Sequence, residues 1–498
     1  MMLINGIYPG PLIRAKWGDT IIVNVKNNLQ HNGTGIHWHG LRQLNSCQQD
    51  GVPGVTECPI APGKTRQYRF RATQFGTSWY HSHWSAQYGD GVLGPIIIDG
   101  PATTNYDEDL GALPITDWYY TPAFTLNEKA QHEGGPPPIP DNILVNGTHI
   151  NAKGGGKYAK MTVVKGKKYR IRIINTSVDS SFSVSMDGHP FTVMTADFVP
   201  IKKWTATQLT LAIGQRYDVV ISADQAVGNY WFRVQPSTGC GRNAMISTGK
   251  TLGAILHYES ATDANPTTTG VTMKTACEDE LSSNLVPFVP NSVPRNIIGS
   301  STQGTIDLKS QLPNGTKPFR WLIDSTPHIV DWNNPTLETI LAGSQNFGAN
   351  ANVHSMQTIN GWYLWCIQST ANVRLAHPMH LHGHDYYILD AKANAVWDGS
   401  TTGLNFENPT RRDTATLPAG GYILMAFPAD NPGMWIAHCH IAWHASQGLS
   451  MQFGERYSDL QKGSLGDVSA FKKGCDEWDG YWYEGNPEKP YEQTDSGI

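Results

Sequence analysis

The chain has 498 residues, enough for about three domains at roughly 150 residues each or for two large β domains. Its 37 basic and 42 acidic residues leave a net charge of −5 with no long Lys/Arg run, which argues against nucleic-acid binding. A hydrophobic share of 39% excludes disorder, and no run of about 18 apolar residues offers a membrane-spanning helix.

Only 16% of residues are charged, against about 25% in an average domain. With 50 Gly, 31 Pro, 16 Trp and 20 Tyr, that composition predicts short strands, many turns and a large core. The first residues, Met1-Met2-Leu3-Ile4-Asn5, show no basic n-region, apolar stretch or cleavage site, so no signal peptide is visible there. Alternation then predicts strands at Thr20–Lys26, Tyr169–Ile174 and Trp362–Ile367. Turn signals at Pro9-Gly10, Pro62-Gly63, Asp187-Gly188, Asn314-Gly315 and Pro432-Gly433 punctuate the chain, and helical periodicity is scarce. An all-β fold of sandwiches or Greek-key barrels follows.

An internal repeat divides this fold. Segments running from Gly18 to His37-Trp38-His39-Gly40, from Gly166 to Ser185-Met186-Asp187-Gly188, and from Gly361 to His380-Leu381-His382-Gly383 align. Downstream, His81-Ser82-His83 and His438-Cys439-His440 bear the same relation to Phe232-Arg233-Val234. Three copies of one β domain are predicted, at 1–103, 104–288 and 289–498, with the middle copy lacking the histidines.

With 18 His in the chain, chance gives about one His-x-His pair. Five occur, at 37/39, 81/83, 380/382, 382/384 and 438/440. Residues i and i+2 of a strand share a face, so each pair is expected to offer two imidazoles to one centre. Eight neutral imidazoles converging without a metal would leave buried nitrogens unsatisfied. Imidazole suits Cu, Zn, Fe and Ni alike. Cys439 narrows the choice: it points away from its flanking histidines, which predicts a second site behind the first. Two His and one Cys thiolate make the trigonal blue-copper set, for which His377 and His444 are at hand, with Leu449 or Met451 at the axial position.

His37-Trp38-His39-Gly40, His81-Ser82-His83, His377-Pro378-Met379-His380-Leu381-His382-Gly383-His384 and His438-Cys439-His440-Ile441-Ala442-Trp443-His444 resemble the four copper motifs of multicopper oxidases, in order. Asp50-Gly51-Val52-Pro53-Gly54-Val55-Thr56-Glu57-Cys58-Pro59-Ile60, Cys240-Gly241-Arg242 and the terminal Asp495-Ser496-Gly497-Ile498 resemble the ascomycete laccases in particular. The resemblance implies three cupredoxin-like domains and four copper ions. Type 1 copper would take His377, Cys439 and His444, with non-coordinating Leu449 in the axial position; type 2 would take His37 and His380. One type 3 ion would take His39, His81 and His440, and the other His83, His382 and His438. His384 is no ligand in this scheme, and Met451 belongs to the core.

The implied activity is one-electron oxidation of phenols or aromatic amines, four such steps reducing one O2 to two waters. Cys439 would carry the electrons onward through its peptide links to His438 and His440. Asp197 would accept the phenol's proton, and Asp50 would supply protons near type 2 copper. The last four residues would plug the solvent channel to the trinuclear cluster. The pattern also implies disulfides Cys58–Cys475 and Cys240–Cys277, secretion, a monomer, and further N-terminal strands ahead of Leu3-Ile4-Asn5-Gly6. Cys366 reads as a buried thiol, and Cys47 has no partner in this scheme. Four sequons (Asn32, Asn146, Asn175, Asn314) are about as many as chance gives. Ascorbate oxidase and ferroxidase share every copper motif, and a copper store or electron carrier without turnover is the non-enzymatic alternative.

Overall fold

A computed structural model describes all residues except 134–136, 239, 241–245, 247, 313, 315–317, 371–373 and 485–492. Gly241, Arg242 and Gly315 of the motifs above lie outside the described residues. The chain is all-β, built from three cupredoxin-like modules of paired sheets. The predicted strands form as Thr20–Lys26, Lys168–Asn175 and Trp362–Ser369. The middle and last modules each pair a six-stranded with a five-stranded sheet, whereas the first pairs a four-stranded sheet with a two-stranded one. A groove of about 630 Å³ opens in this first module, lined by Ile13, Val23, Ile36, Trp38 and Tyr80 among others.

Alternation sets the faces. In Thr65–Arg71 the odd residues are exposed while Arg66, Tyr68 and Phe70 turn inward, and Phe70 pairs with Ile21 across the ladder. Strands nearer the site, such as Gly433–Cys439 and Gly76–Ser82, are buried on both faces. One apolar cluster draws on all three modules, joining Trp79 and Leu93 to Ile174 and Ile213 and to Met379, Cys439 and Leu449. Fully burying each such side chain contributes about 1.5–3 kcal/mol.

The disulfide Cys58–Cys475 ties the first module to the late helix Ser469–Asp479, and Cys240–Cys277 closes a loop of the middle module. Cys366 is a buried thiol, and buried Cys47 accepts the Met434 N–H at 3.3 Å. Among the sequons, Asn175 is fully buried and donates to the carbonyls of Ser180 and Leu211, so it is no glycan acceptor in the folded chain.

Candidate metal centre

Strand pairing brings the histidines together. His37 on Ile36–Trp38 pairs with His81 on Gly76–Ser82, and His380 on His377–Leu381 pairs with His438 on Gly433–Cys439. The two strand pairs, one from the first module and one from the last, face each other. His380 Nε2 lies 3.4 Å from His37 Nε2; His438 Nε2 lies 3.4 Å from His83 Nε2 and 3.3 Å from His382 Nε2; His440 Nε2 lies 3.3 Å from His39 Nδ1.

Both members of each pair thus reach one histidine cluster, as strand alternation predicts, and His37 shares a ligand group with His39 and His81 and another with His380 and His382; within the cluster the two members of a pair face different rings. His39, His83, His382 and His440 each sit just beyond a strand's end, where the alternation lapses and the second ring swings to a different partner. Cys439 faces the other way, as its spacing predicts. Its Sγ lies 3.7 Å from His377 Nδ1 and 3.5 Å from His444 Nδ1. Trp321 packs against both rings, with centroids 4.8 Å from His377 and 5.0 Å from His444. Leu449 is fully buried, and its carbonyl accepts the Cys439 N–H at 3.0 Å; Met451 is core. His384 stands apart, 3.1 Å from Glu455.

A polar atom behind five of the rings decides which nitrogen faces inward. His37 Nδ1 donates to the Asp50 carbonyl (3.0 Å) and His382 Nδ1 to Asp50 Oδ2 (2.8 Å). His380 Nδ1 donates to the Asp413 carbonyl (2.8 Å), His81 Nδ1 to Ser82 and His438 Nδ1 to Cys439 (both 3.0 Å). Burial, reinforced by neighbouring imidazoles, holds His39, His81, His83, His380, His382 and His440 well below 6.5. Burial takes His438 down to about 4 and His377 to about 3, and pushes the Cys439 thiol up.

The ring nitrogens of the cluster histidines converge, and His81 Nε2 is buried without a hydrogen-bond partner. Imidazole nitrogens backed by carbonyls and carboxylates, with a His–Cys–His set behind them, fit copper ions. His83, His382 and His438 form one ligand group within reach of a single ion, and His377, Cys439 and His444 form another.

The tail lies against this centre. Ile498 shares a cavity of about 20 Å³ with His81, His83, His438 and His440. Asp495 accepts hydrogen bonds from Ser85 and Asn127, and Ser496 donates to the Ala445 carbonyl at 2.7 Å.

Asp197 requires a correction. It is fully buried at a turn with φ of 54°, and its oxygens are bonded by Arg412 at 3.0 and 3.1 Å and by the Arg216 N–H at 3.0 Å. Arg412 and Arg216 hold its carboxyl below the usual carboxylate range against the opposing effect of burial. No phenol reaches it, so it is no proton acceptor for substrate. The role was carried over by resemblance from the residue type at this position, which does not say whether the carboxylate faces a pocket or an interface. Sequence reading also missed Asp413 and Thr414; the signal was a charged run, Arg411-Arg412-Asp413, among buried strands.

Three stretches match multicopper oxidase family models, at residues 1–103, 111–261 and 328–459. The chain is 47% identical to Laccase-3 of Botryotinia fuckeliana over 89% of its own length and all of that protein. It is 45% identical to the laccase of Neurospora crassa over its whole length and 81% of that protein. The crystal structure of the laccase from Botrytis aclada superposes with a TM-score of 0.91 at 42% identity, covering 99% of this chain and 90% of that one.

Proposed function

The chain belongs to the multicopper oxidase family, and from that premise we infer a laccase that oxidises phenols and aromatic amines and reduces O2 to water, with four copper ions. The observation that carries this reading is the two-sided tripeptide His438-Cys439-His440. Cys439 faces His377 and His444 on one side, while the flanking rings face two different histidine groups on the other.

Copper ions bound at these sites would supply one-electron acceptance at the cysteine side and multi-electron reduction of O2 at the histidine cluster. The protein's residues do the rest. The backbone of residues 438–440 joins the two sites through covalent bonds. Leu449, fully buried with its carbonyl accepting the Cys439 N–H, offers no donor atom to an ion that His377, Cys439 and His444 would hold, which would favour a high reduction potential there. Asp50 fixes His37 and His382 in one tautomer and is the carboxyl group that would hold a proton beside the cluster. The terminal residues, sealed against His83 and His440, would restrict water and ions. The small organic donor would approach from the His444 side. We place the protein outside the cell, as a monomer; no described helix is long and apolar enough to cross a membrane.

The test is an absorption and EPR spectrum with copper counted per chain, followed by oxygen uptake with a phenol, ascorbate and Fe(II). A blue thiolate band, about four coppers and fastest turnover of the phenol support the reading. One copper, or no oxygen uptake, overturns it.

A further inference from the structure

We propose that the middle module, which supplies no copper ligand, positions one: the turn Ala212–Arg216 fixes the ring of His39. The proposal rests on reading His39 and His440 as ligands of the trinuclear centre.

Five rings of the cluster present Nε2 because their Nδ1 is bonded behind them, to Asp50, Ser82, Asp413 or Cys439. His39 is reversed. Its Nδ1 faces His440 at 3.3 Å, while its Nε2 turns outward to Asp413 Oδ1 and Thr414 Oγ1, both at 3.3 Å. A reversed ring needs its acceptor in one place, and Asp413 cannot hold itself there. Arg216 grips it with two bonds of 2.7 Å.

Arg216 is in turn fixed from three modules. Its Nε donates to the Thr77 carbonyl of the first (3.1 Å), its Nη1 to the Gly214 carbonyl of the second (3.0 Å), and its fork engages Asp413 of the third. The guanidinium is fully buried. A lysine at this position would lose the fork geometry.

Two glycines leave the room this arrangement needs. Gly214 has φ of +84°, and a Cβ there would stand 2.9 Å from His39 Cε1 and 3.1 Å from His440 Cδ2. Gly40, directly after His39, has φ of +73°, and its Cβ would stand 2.4 Å from Asp413 Oδ2 and 2.6 Å from Arg216 Nη2. The middle module's turn therefore touches two proposed ligands directly and holds one of them through Asp413. Arg216, Asp413 and Gly214 are positioning residues.

The experiment compares the full copper-loaded chain with Gly214→Ala and Arg216→Lys. It reads copper per chain, the blue band, the type 2 EPR signal, and the melting temperature of the copper-free protein. Loss of a ligand's supporting partner costs about 10–100-fold in metal affinity. The expected result is an intact blue band with fewer coppers per chain and an altered EPR signal from the cluster. Should Gly214→Ala fail to fold, Arg216→Lys and Asp413→Asn carry the test. Wild-type signals in the variants overturn the positioning role. So does a proportional loss of both signals alongside a lowered melting temperature of the copper-free protein, the mark of a structural ion pair. A wild-type chain that shows a blue band with one copper overturns the cluster reading itself, and the positioning role with it.

Discussion

Asp50 Oδ2 lies 2.8 Å from Nδ1 of His382, although the two residues are 332 positions apart and belong to different modules. The other oxygen, Oδ1, lies 3.2 Å from His37 Nδ1. One residue thus sets the tautomer of two proposed ligands on opposite sides of the module interface, His37 through its backbone carbonyl and His382 through its carboxylate. His37 is therefore anchored independently of the side chain, whereas His382 depends on it.

Replacing Asp50 by Ala should therefore free the His382 ring and weaken the cluster's copper affinity about 10–100-fold, leaving the blue band in place. Copper stoichiometry and the type 2 EPR signal measure this. An Asp50→Ala chain with four coppers and an unchanged signal would remove the anchoring role.

Asp197 leads to the opposite kind of result. It sits among Arg412, Arg216 and the backbone of Asp413. Asp197→Asn leaves a buried Arg412 without its paired charge, at a cost of about 3–5 kcal/mol. The melting temperature should fall, and rates per copper-loaded chain should change equally for a phenol and for a donor that loses no proton. A loss confined to phenols would reinstate the role expected from the motif.

These two carboxylates mark how far local sequence reaches. The His-x-His pairs and the intervening cysteine were legible because a strand's two-residue period is local, and the repeat showed which copies carry them. The division of each pair between two partners came from the resemblance and not from the spacing, since it depends on where the strand ends: His39 and His440 lie one residue past theirs. Asp413 comes from the last module and Arg216 and Gly214 from the middle one, and no spacing along the chain encodes their meeting. Asp197 misled for a related reason. An Asp matched by resemblance looks the same in sequence whether it faces a pocket or, as here, a neighbouring module's arginine.

The side chain of Leu449, fully buried with its carbonyl accepting the Cys439 N–H at 3.0 Å, offers no electron pair to a metal. Leu449→Met supplies a thioether, which should lower the reduction potential of the type 1 site and shift its absorption. Potentiometry on the copper-loaded variant checks the direction, and an unchanged or raised potential would show that residue 449 is not axial.

Deleting Asp495–Ile498 removes the Asp495 contacts to Ser85 and Asn127 and the Ser496 contact to Ala445. It also opens the cavity of about 20 Å³ beside His83 and His440. The truncated chain should melt at a lower temperature and lose copper from the cluster to a chelator faster, with the blue band released more slowly. Equal release from both sites would mean that the tail does not shield the cluster.

His328 gives the pH dependence of the fold, independently of any ligand. It is fully buried. Its Nε2 accepts from Gln452 Nε2 at 3.1 Å, so its Nδ1–H donates to Ser450 Oγ at 2.7 Å. Protonating Nε2 would set two donors against each other, and burial holds the ring's pKa down at about 3. In the unfolded chain the same ring titrates near 6.5. A folded value below the unfolded one means that the stability is present above about pH 6.5 and is lost as pH falls toward 3, at about 1.4 kcal/mol per pH unit once the unfolded ring is protonated. His328→Gln removes that proton from the balance while leaving a polar side chain for Ser450 and Gln452. Near neutral pH the variant should be the less stable of the two. Between about pH 6.5 and 4, the melting temperature of the wild-type chain should fall more steeply than that of the variant, and the two curves should converge. Parallel curves across that range would show that His328 takes up no proton on unfolding, and that the acid sensitivity of the fold lies in other groups.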